Sequence, residues 1–249
     1  TGEVVAAAAY ANRLDRFDGS GNFVDSFGKR DTHGHLFNQM KGIIVSSEQN
    51  LVLVSDWMDH KIRRFDLQGQ FLGTLDAWIE DQHMLDGSAL PADFHTNPES
   101  TMWPVKEDQA FPGAMDLDSS GNIWLIRGSM HYDDDPRQEA DWLVRNFSTS
   151  GEFIGGFGNK YFPRNARMRG IAVDDRTDEI YIANTMRHSV MKFRSDGTLL
   201  WESGTKGEGE QEFNFPTGMT IDADAGRVYV VDSYNNRIQV LDLDGNFIE

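Results

Sequence analysis

The sequence predicts an all-β fold, a β-propeller of four-stranded antiparallel blades. Glycine anchors recur along the 249 residues, and the segments between them alternate apolar and polar residues. Short alternating strands separated by tight turns are typical of an antiparallel meander. Meanders repeated about 40 to 50 residues apart are typical of propeller blades, which bury their apolar faces by packing side by side.

The repeat length follows from two kinds of glycine anchor. The first kind opens an alternating apolar strand and occurs at Gly42, Gly113, Gly170 and Gly218. The second kind is a turn glycine before a short apolar strand, and it occurs at Gly21, Gly69, Gly151, Gly197 and Gly245. Three repeats have the same spacing between the two anchors (42 to 69, 170 to 197 and 218 to 245), which gives a repeat of about 48 residues. Five repeats are visible, so we expect five or six blades.

Residues 1–249 are predicted to form a single propeller domain. The third repeat carries two insertions, at about 76–110 and 128–141, and neither is long enough to hide another blade. We expect the longer insertion to pack over one face of the propeller with Trp78 or Trp103 buried. Two exposed tryptophans would each forgo roughly 2 kcal/mol of burial free energy.

Several repeats resemble NHL repeats. The clearest match is FPTGMTID (215–222) followed by RVYVVDSYNNRIQV (227–240), and IYIANTMRHSV (180–190) and LVSDWMDHKI (53–62) are similar. The resemblance implies an NHL-repeat β-propeller over most of the chain outside 76–110. It leaves function open, because one fold hosts many functions.

Composition excludes several function classes. Lys and Arg number 23 against 40 Asp and Glu, a net charge of −17, so we expect no nucleic-acid partner, since phosphate binding depends on cationic side chains. No apolar run is long enough to span a membrane. The chain has no cysteine, which removes disulfides, thiol catalysis and Cys-bound metals and fits a secreted or periplasmic protein.

Candidate ligand-binding residues lie where loops converge at the mouth of the central channel. Lys41 and Arg169 directly precede two inner-strand glycines, and we expect them to bring positive charge to the mouth and to bind an anionic group. The lyases among related propellers hold zinc through histidines at this position, which the chain fills with Lys41, Pro112, Arg169 and Thr217.

A second loop at the same mouth contributes polar residues at repeat-equivalent positions: Asp56, His60, Asn184, His188 and Asp232. Such side chains often tie strands together, because Asp and Asn imitate backbone turns. The alternative is convergence on a hard cation such as calcium, as the resemblance to calcium-dependent lactonase propellers implies.

Two further segments are candidate metal sites. His33 and His35 are spaced to hold a transition metal, although no third ligand is evident. Asp133, Asp134 and Asp135 form an acidic run that suits calcium or is simply solvated. No cofactor is evident from the sequence, and calcium is the cation that these residues suit.

Two functions follow from this reasoning. The first is a binding or scaffold module for a protein, peptide or glycan, because the repeats are regular and lack a catalytic set. The alternative is a metal-dependent propeller enzyme, lactonase-, hydrolase- or lyase-like, with its site at the central channel.

The ends of the sequence give one more expectation. Thr1 lies near the start of the second strand of the first repeat, and Glu249 near the outer strand of the fifth. An open ring would expose strand edges and an apolar face. We therefore expect self-association or a longer parent chain.

Overall fold

The computed structural model describes residues 2–28, 37, 39–57, 59, 61–76, 111–128, 144–158 and 168–249. Their strands form five antiparallel sheets arranged as a five-bladed β-propeller, which confirms the predicted fold class. In the described part of the chain, helical backbone is limited to short 3₁₀ turns such as Ala9–Ala11 and Ser233–Asn235, so no helix there is long enough to cross a membrane.

The strands follow one another in chain order within each blade. Blade 1 contains β1 (Val4–Ala8), β2 (Arg13–Phe17) and β3 (Phe23–Phe27). Blade 2 contains β4 (Met40–Ser46), β5 (Leu51–Asp56), β6 (Lys61–Phe65) and β7 (Phe71–Asp76). Blade 3 contains β8 (Phe111–Leu117), β9 (Ile123–Gly128), β10 (Val144–Phe147) and β11 (Phe153–Phe157).

Blade 4 contains β12 (Met168–Asp174), β13 (Glu179–Asn184), β14 (Ser189–Phe193) and β15 (Leu199–Ser203). A short parallel pair follows, β16 (Thr205–Lys206) and β17 (Glu212–Phe213). Blade 5 contains β18 (Pro216–Asp222), β19 (Arg227–Asp232) and β20 (Arg237–Asp242). An isolated bridge from Phe247 to Leu241 occupies the place of its fourth strand.

The turn glycines precede the outermost strand of blades 1 to 4 and, in blade 5, the bridge at Phe247, as the repeat predicts. Gly69 is representative: its φ is +84°, and its N–H donates to the carbonyl of Asp66 at 2.9 Å. This left-handed backbone favours glycine because a Cβ would collide with the neighbouring carbonyl. The turn glycines of the other repeats have φ between +81° and +94°. The anchors therefore mark real turns.

The core consists of separate apolar layers between adjacent blades. Each layer draws buried side chains from two blades: Leu14 and Val54 for blades 1 and 2, Leu53 and Phe147 for blades 2 and 3, Trp124 and Ile182 for blades 3 and 4, and Tyr181 and Val228 for blades 4 and 5. Each fully buried side chain contributes about 1.5 to 3 kcal/mol. Packing of blade on blade therefore stabilises the fold.

The inner-strand glycines allow adjacent blades to approach closely. A Cβ placed on Gly170 in blade 4 would lie 2.0 Å from the carbonyl oxygen of Thr217 in blade 5. In blade 2, the Oγ of Ser55 accepts from the Gly42 N–H and donates to the Gly113 carbonyl of blade 3, both at 2.7 Å. At Gly42 and Gly170 the absence of a Cβ is therefore a packing requirement between blades.

The segments predicted as insertions, about 76–110 and 128–141, connect β7 to β8 and β9 to β10 in the chain. Residues 77–110 and 129–143 lie outside the described residues, so the packing of Trp78 or Trp103 over a propeller face stays a prediction.

Candidate functional site

Four inner strands begin at one end of the propeller, and each starts with an irregularity. The register shifts between Met40 and Ile43 in β4, and equivalent shifts occur at the starts of β8, β12 and β18. Bulges of this kind re-aim side chains and are frequent beside functional sites. We call this end, with the loops that follow each second strand, the mouth rim.

Lys41 and Arg169 lie within these irregular starts, and both side chains are exposed. The Nζ of Lys41 lies 5.6 Å from the centre of the Trp57 ring, a cation–π contact. Among the described residues, neither Lys41 nor Arg169 forms an ion pair. Their role in binding an anionic group stays a prediction, and the exposed, unpaired cations are compatible with it.

Asp56 and Asp232 are fully buried and hold loops to strands. The Oδ1 of Asp232 accepts from the Asn214 N–H at 2.6 Å, while Oδ2 accepts from Nε of Arg237 at 3.0 Å. Asp56 accepts from the N–H of Gln39 at 2.8 Å in the equivalent geometry. These carboxylates therefore fix the loop that enters each inner strand.

Asn184 is also fully buried, at the position equivalent to Asp56 and Asp232. Its Nδ2 lies 3.8 Å from the sulfur of Met191, and its Oδ1 accepts from the Arg187 N–H at 3.4 Å. All three side chains make hydrogen bonds close to their own strands. Convergence of their oxygens on a cation stays untested.

His188 belongs to an aromatic ladder that crosses from blade 4 to blade 5. Its ring centre lies 4.7 Å from that of Phe215, and Phe215 lies 4.7 Å from Tyr234. The Nδ1 of His188 accepts from the Phe215 N–H at 3.2 Å. Burial, helped by the positive charge of Lys206, lowers the pKa of His188, so the imidazole is neutral at neutral pH. In a neutral imidazole, Nδ1 can remain unprotonated and accept the hydrogen bond from the Phe215 N–H.

Further side chains surround the ladder. Thr185, next to Met186 in the chain, donates its hydroxyl proton to the Pro216 carbonyl at 2.7 Å, which joins the loop after β13 to the start of β18. Met186 is 41% exposed and Tyr234 is 69% exposed. The rim of blades 4 and 5 therefore presents apolar surface to solvent.

Arg187, on the same rim, is neutralised by Glu202. Its Nε and NH2 groups bind the two carboxylate oxygens at 3.0 and 3.2 Å. This fork geometry holds the guanidinium along the blade.

The opposite end of the channel is a cavity of about 1030 Å³ bordered by strand ends of blades 2 to 5. Its carboxylates are Glu48, Asp116, Asp118, Asp175, Asp222 and Asp224. Asp116 accepts from the Val173 N–H of the next blade at 2.9 Å, and burial raises its pKa above the usual 3.8. Asp116 therefore bridges blades 3 and 4.

Some predicted site residues lie outside the described residues: His33, His35, His60, Asp133, Asp134 and Asp135. Their proposed metal roles stay predictions. Within the described ranges, no three His, Asp or Glu side chains are grouped to hold a metal ion.

Sequence reasoning missed Phe215, Tyr234 and Met186. Phe215 had one signal, an aromatic residue directly before the proline that starts an inner strand. Asp116 also had a signal, because Val45 and Val173 are apolar at the equivalent positions. No sequence signal predicted the aromatic ladder, because only the packing of blade 4 against blade 5 brings the His188 ring to the Phe215 ring.

Comparison with known proteins supports the repeat assignment. The NHL repeat family matches residues 213–241. Mouse NHL repeat-containing protein 3 is 36% identical over 105 residues, which is 41% of this chain and 29% of the mouse protein. The human protein of the same name is 41% identical over 71 residues, covering 27% of this chain and 20% of the human protein. The matched region thus spans less than a third of these relatives.

Solved propellers share the fold at low sequence identity. A nidogen/laminin complex has a TM-score of 0.63 at 15% identity, covering 96% of this chain and 73% of that chain. A gluconolactonase from Xanthomonas campestris has 0.60 at 16% identity, covering 98% and 70%. Virginiamycin B lyase from Staphylococcus aureus has 0.53 at 13% identity, covering 96% and 66%. The NHL repeat match at residues 213–241 and the five-bladed β-propeller architecture agree with the predicted repeat assignment.

Proposed function

We propose that this propeller is a binding module that presents its mouth rim to a protein, peptide or glycan. The proposal rests on a difference between two groups of side chains at the mouth rim, one buried and one exposed. The polar side chains Asp56, Asn184 and Asp232 are buried in hydrogen bonds that hold loops. Apolar side chains of the rim are exposed, as are Lys41 and Arg169, which form no ion pair with any residue that the structure describes. Aromatic residues, Met and Arg are the types that dominate recognition surfaces.

The exposed part of the rim has the composition of a binding surface rather than of a solvated edge. Met186 in blade 4 and Tyr234 in blade 5 are both exposed. The rim differs from the cavity at the other end, whose border is rich in carboxylates.

The nidogen/laminin complex offers a precedent for a propeller that engages a protein partner. At 15% identity it supports the fold alone, so the partner of the present chain is not inferred from it. A secreted or periplasmic location also stays a proposal, based on the absence of cysteine.

The proposal is tested by a binding screen with the purified protein. We expect saturable binding to members of a glycan array or of a peptide library after exhaustive dialysis against EDTA. The rival function, a metal-dependent propeller enzyme, predicts a different result. A stoichiometric metal, measured by mass spectrometry, together with lactone hydrolysis that EDTA abolishes and calcium restores, would replace the binding proposal.

A further inference from the structure

The aromatic ladder of His188, Phe215 and Tyr234 ends in solvent. The two steps between ring centres are 4.7 Å each, with interplanar angles of 64° and 52°. His188 is buried, Phe215 is half-buried and Tyr234 is 69% exposed. Rings held in this order form a rigid platform, because each ring limits the rotation of the next.

Phe215 occupies an unfavourable backbone conformation to take part in this ladder. Its φ is +54°, in the left-handed region that a bulky side chain rarely adopts. Glycine or asparagine would adopt the same backbone at lower cost. Positions that carry a cost of about 1 to 3 kcal/mol of this kind cluster at active sites and ligand-binding sites. The strain therefore indicates that an aromatic ring is useful here.

Arg169 lies at the start of β12, which packs against the segment that follows Phe215. Its neighbour Gly170 packs against the Thr217 carbonyl, two residues after Phe215, so the start of β12 and the Phe215 loop are in direct contact. The Arg169 side chain is exposed and, within the described part of the chain, has no acidic partner. This guanidinium is therefore available to a ligand.

Neighbouring charges define where an acidic group is accepted. Arg187 is already neutralised by Glu202. Lys206 is exposed, but Glu208 and Glu210 follow it on an exposed turn and repel a second acidic group. A carboxylate of a partner is consequently expected at Arg169.

We propose that Met186, His188, Phe215, Tyr234 and Arg169, here called the rim patch, bind a peptide segment of a protein partner that carries an apolar side chain next to Asp or Glu. The apolar side chain packs on Phe215 and Tyr234, and the carboxylate pairs with Arg169. This inference rests on the proposed binding function and specifies its ligand. A peptide is favoured over a glycan because Met, aromatic rings and Arg together form the composition of protein–protein contacts.

The test uses a phage-displayed library of random peptides selected on the purified protein. We expect enriched sequences to combine an apolar residue with Asp or Glu. For an enriched peptide, Tyr234→Ala and Arg169→Glu are each expected to weaken affinity roughly tenfold or more, as hot-spot substitutions do. All variants are first compared by circular dichroism and thermal melting, since exposed substitutions should leave the fold intact.

Two matched controls separate the rim patch from general surface effects. Ile154→Ala removes an exposed apolar side chain from β11, and Arg194→Glu reverses an exposed charge on a turn of blade 4. Each control is expected to change affinity by less than about twofold.

The possible results are distinguishable. Peptides that bind equally well to Tyr234→Ala and Arg169→Glu overturn the rim patch while leaving the binding function in place. Enrichment of basic peptides, or binding on a glycan array with no enriched peptide, likewise overturns the rim patch as a site for acidic peptides and leaves the binding function in place. Failure to bind any peptide or glycan overturns both the inference and the proposed function.

Discussion

The buried carboxylate of Asp232 accepts a hydrogen bond from the Nε of Arg237 at 3.0 Å. The same oxygen accepts from Asn235 at 2.9 Å and from Gln239 at 3.1 Å, and the other oxygen accepts from the Asn214 N–H. One side chain thus connects the end of β19, the start of β20 and the loop before β18. Its removal leaves several donors without a partner.

We therefore expect Asp232→Ala to lower the free energy of unfolding by roughly 3 kcal/mol, because truncating one member of a buried, hydrogen-bonded ion pair leaves the others unsatisfied. Urea denaturation followed by tryptophan fluorescence measures the change. Asp224→Ala, at an exposed carboxylate of the same blade, is the control and should cost less than about 0.5 kcal/mol. Equal losses in the two variants would contradict the assigned role of Asp232.

The inner-strand glycines allow a second comparison. In Gly170→Ala the new methyl group would lie 2.0 Å from the Thr217 carbonyl oxygen, whereas in Gly218→Ala the nearest atom is Cγ2 of Val231 at 3.6 Å. The first substitution forces blades 4 and 5 apart and should cost about 3 kcal/mol or more. The second should change stability by less than about 1 kcal/mol.

Thermal melting of the two variants checks this contrast under one set of conditions. Because both substitutions are Gly to Ala on inner strands, the difference between them isolates the contact with the next blade. A melting temperature for Gly170→Ala that equals that of Gly218→Ala would show that the close approach of blades does not limit this position.

The repeat could be predicted from the sequence because it depends on local rules. The left-handed backbone of the turns favours glycine, and burial of a blade face requires apolar residues at alternate strand positions. Both features therefore recur in the sequence at a regular spacing. In the last repeat, the segments FPTGMTID (215–222) and RVYVVDSYNNRIQV (227–240) contain β18, β19 and the start of β20. Five repeats follow from this pattern, which left open whether the propeller has five or six blades.

The rim patch could not be predicted in the same way. The ladder joins His188 on blade 4 to Phe215 and Tyr234 on blade 5, and only the packing between blades decides which rings meet. The sequence also could not decide the role of Asp56, Asn184 and Asp232. Polar residues at equivalent repeat positions are compatible with a ring of metal ligands and with buried hydrogen bonds that hold loops. Geometry distinguishes local hydrogen bonding from a shared site, and a repeat pattern does not.

Asp116 should give the protein a specific pH dependence. Burial raises its pKa in the folded protein, outweighing the hydrogen bonds from Val173 and Leu117 that favour the carboxylate. An acid with a raised pKa stabilises the fold fully below its unfolded pKa, and this contribution is lost as the pH rises through the folded pKa. Asp116→Asn removes that loss while keeping one acceptor oxygen.

The free energy of unfolding of Asp116→Asn, relative to the unsubstituted protein, should therefore increase as the pH is raised from about 4 to about 8. Urea denaturation across this range provides the measurement. Asp224→Asn, at an exposed carboxylate bordering the same cavity, is expected to show a smaller change with pH. A constant difference between Asp116→Asn and the unsubstituted protein would mean that Asp116 titrates alike in the folded and unfolded chains.

The last prediction concerns the strain at Phe215. Phe215→Asn and Phe215→Ala both remove the ring and its contacts with His188 and Tyr234, but asparagine tolerates a φ of +54° better than alanine does. We expect Phe215→Asn to be more stable than Phe215→Ala by about 0.5 to 1 kcal/mol, measured by urea denaturation. Both variants should lose affinity for a peptide that binds the rim patch, because neither offers a ring. Relief of backbone strain by asparagine without recovery of peptide binding is the result expected of a position kept for recognition. If Phe215→Asn instead binds the peptide as well as the unsubstituted protein, the ring has no part in recognition and its strained backbone needs another explanation.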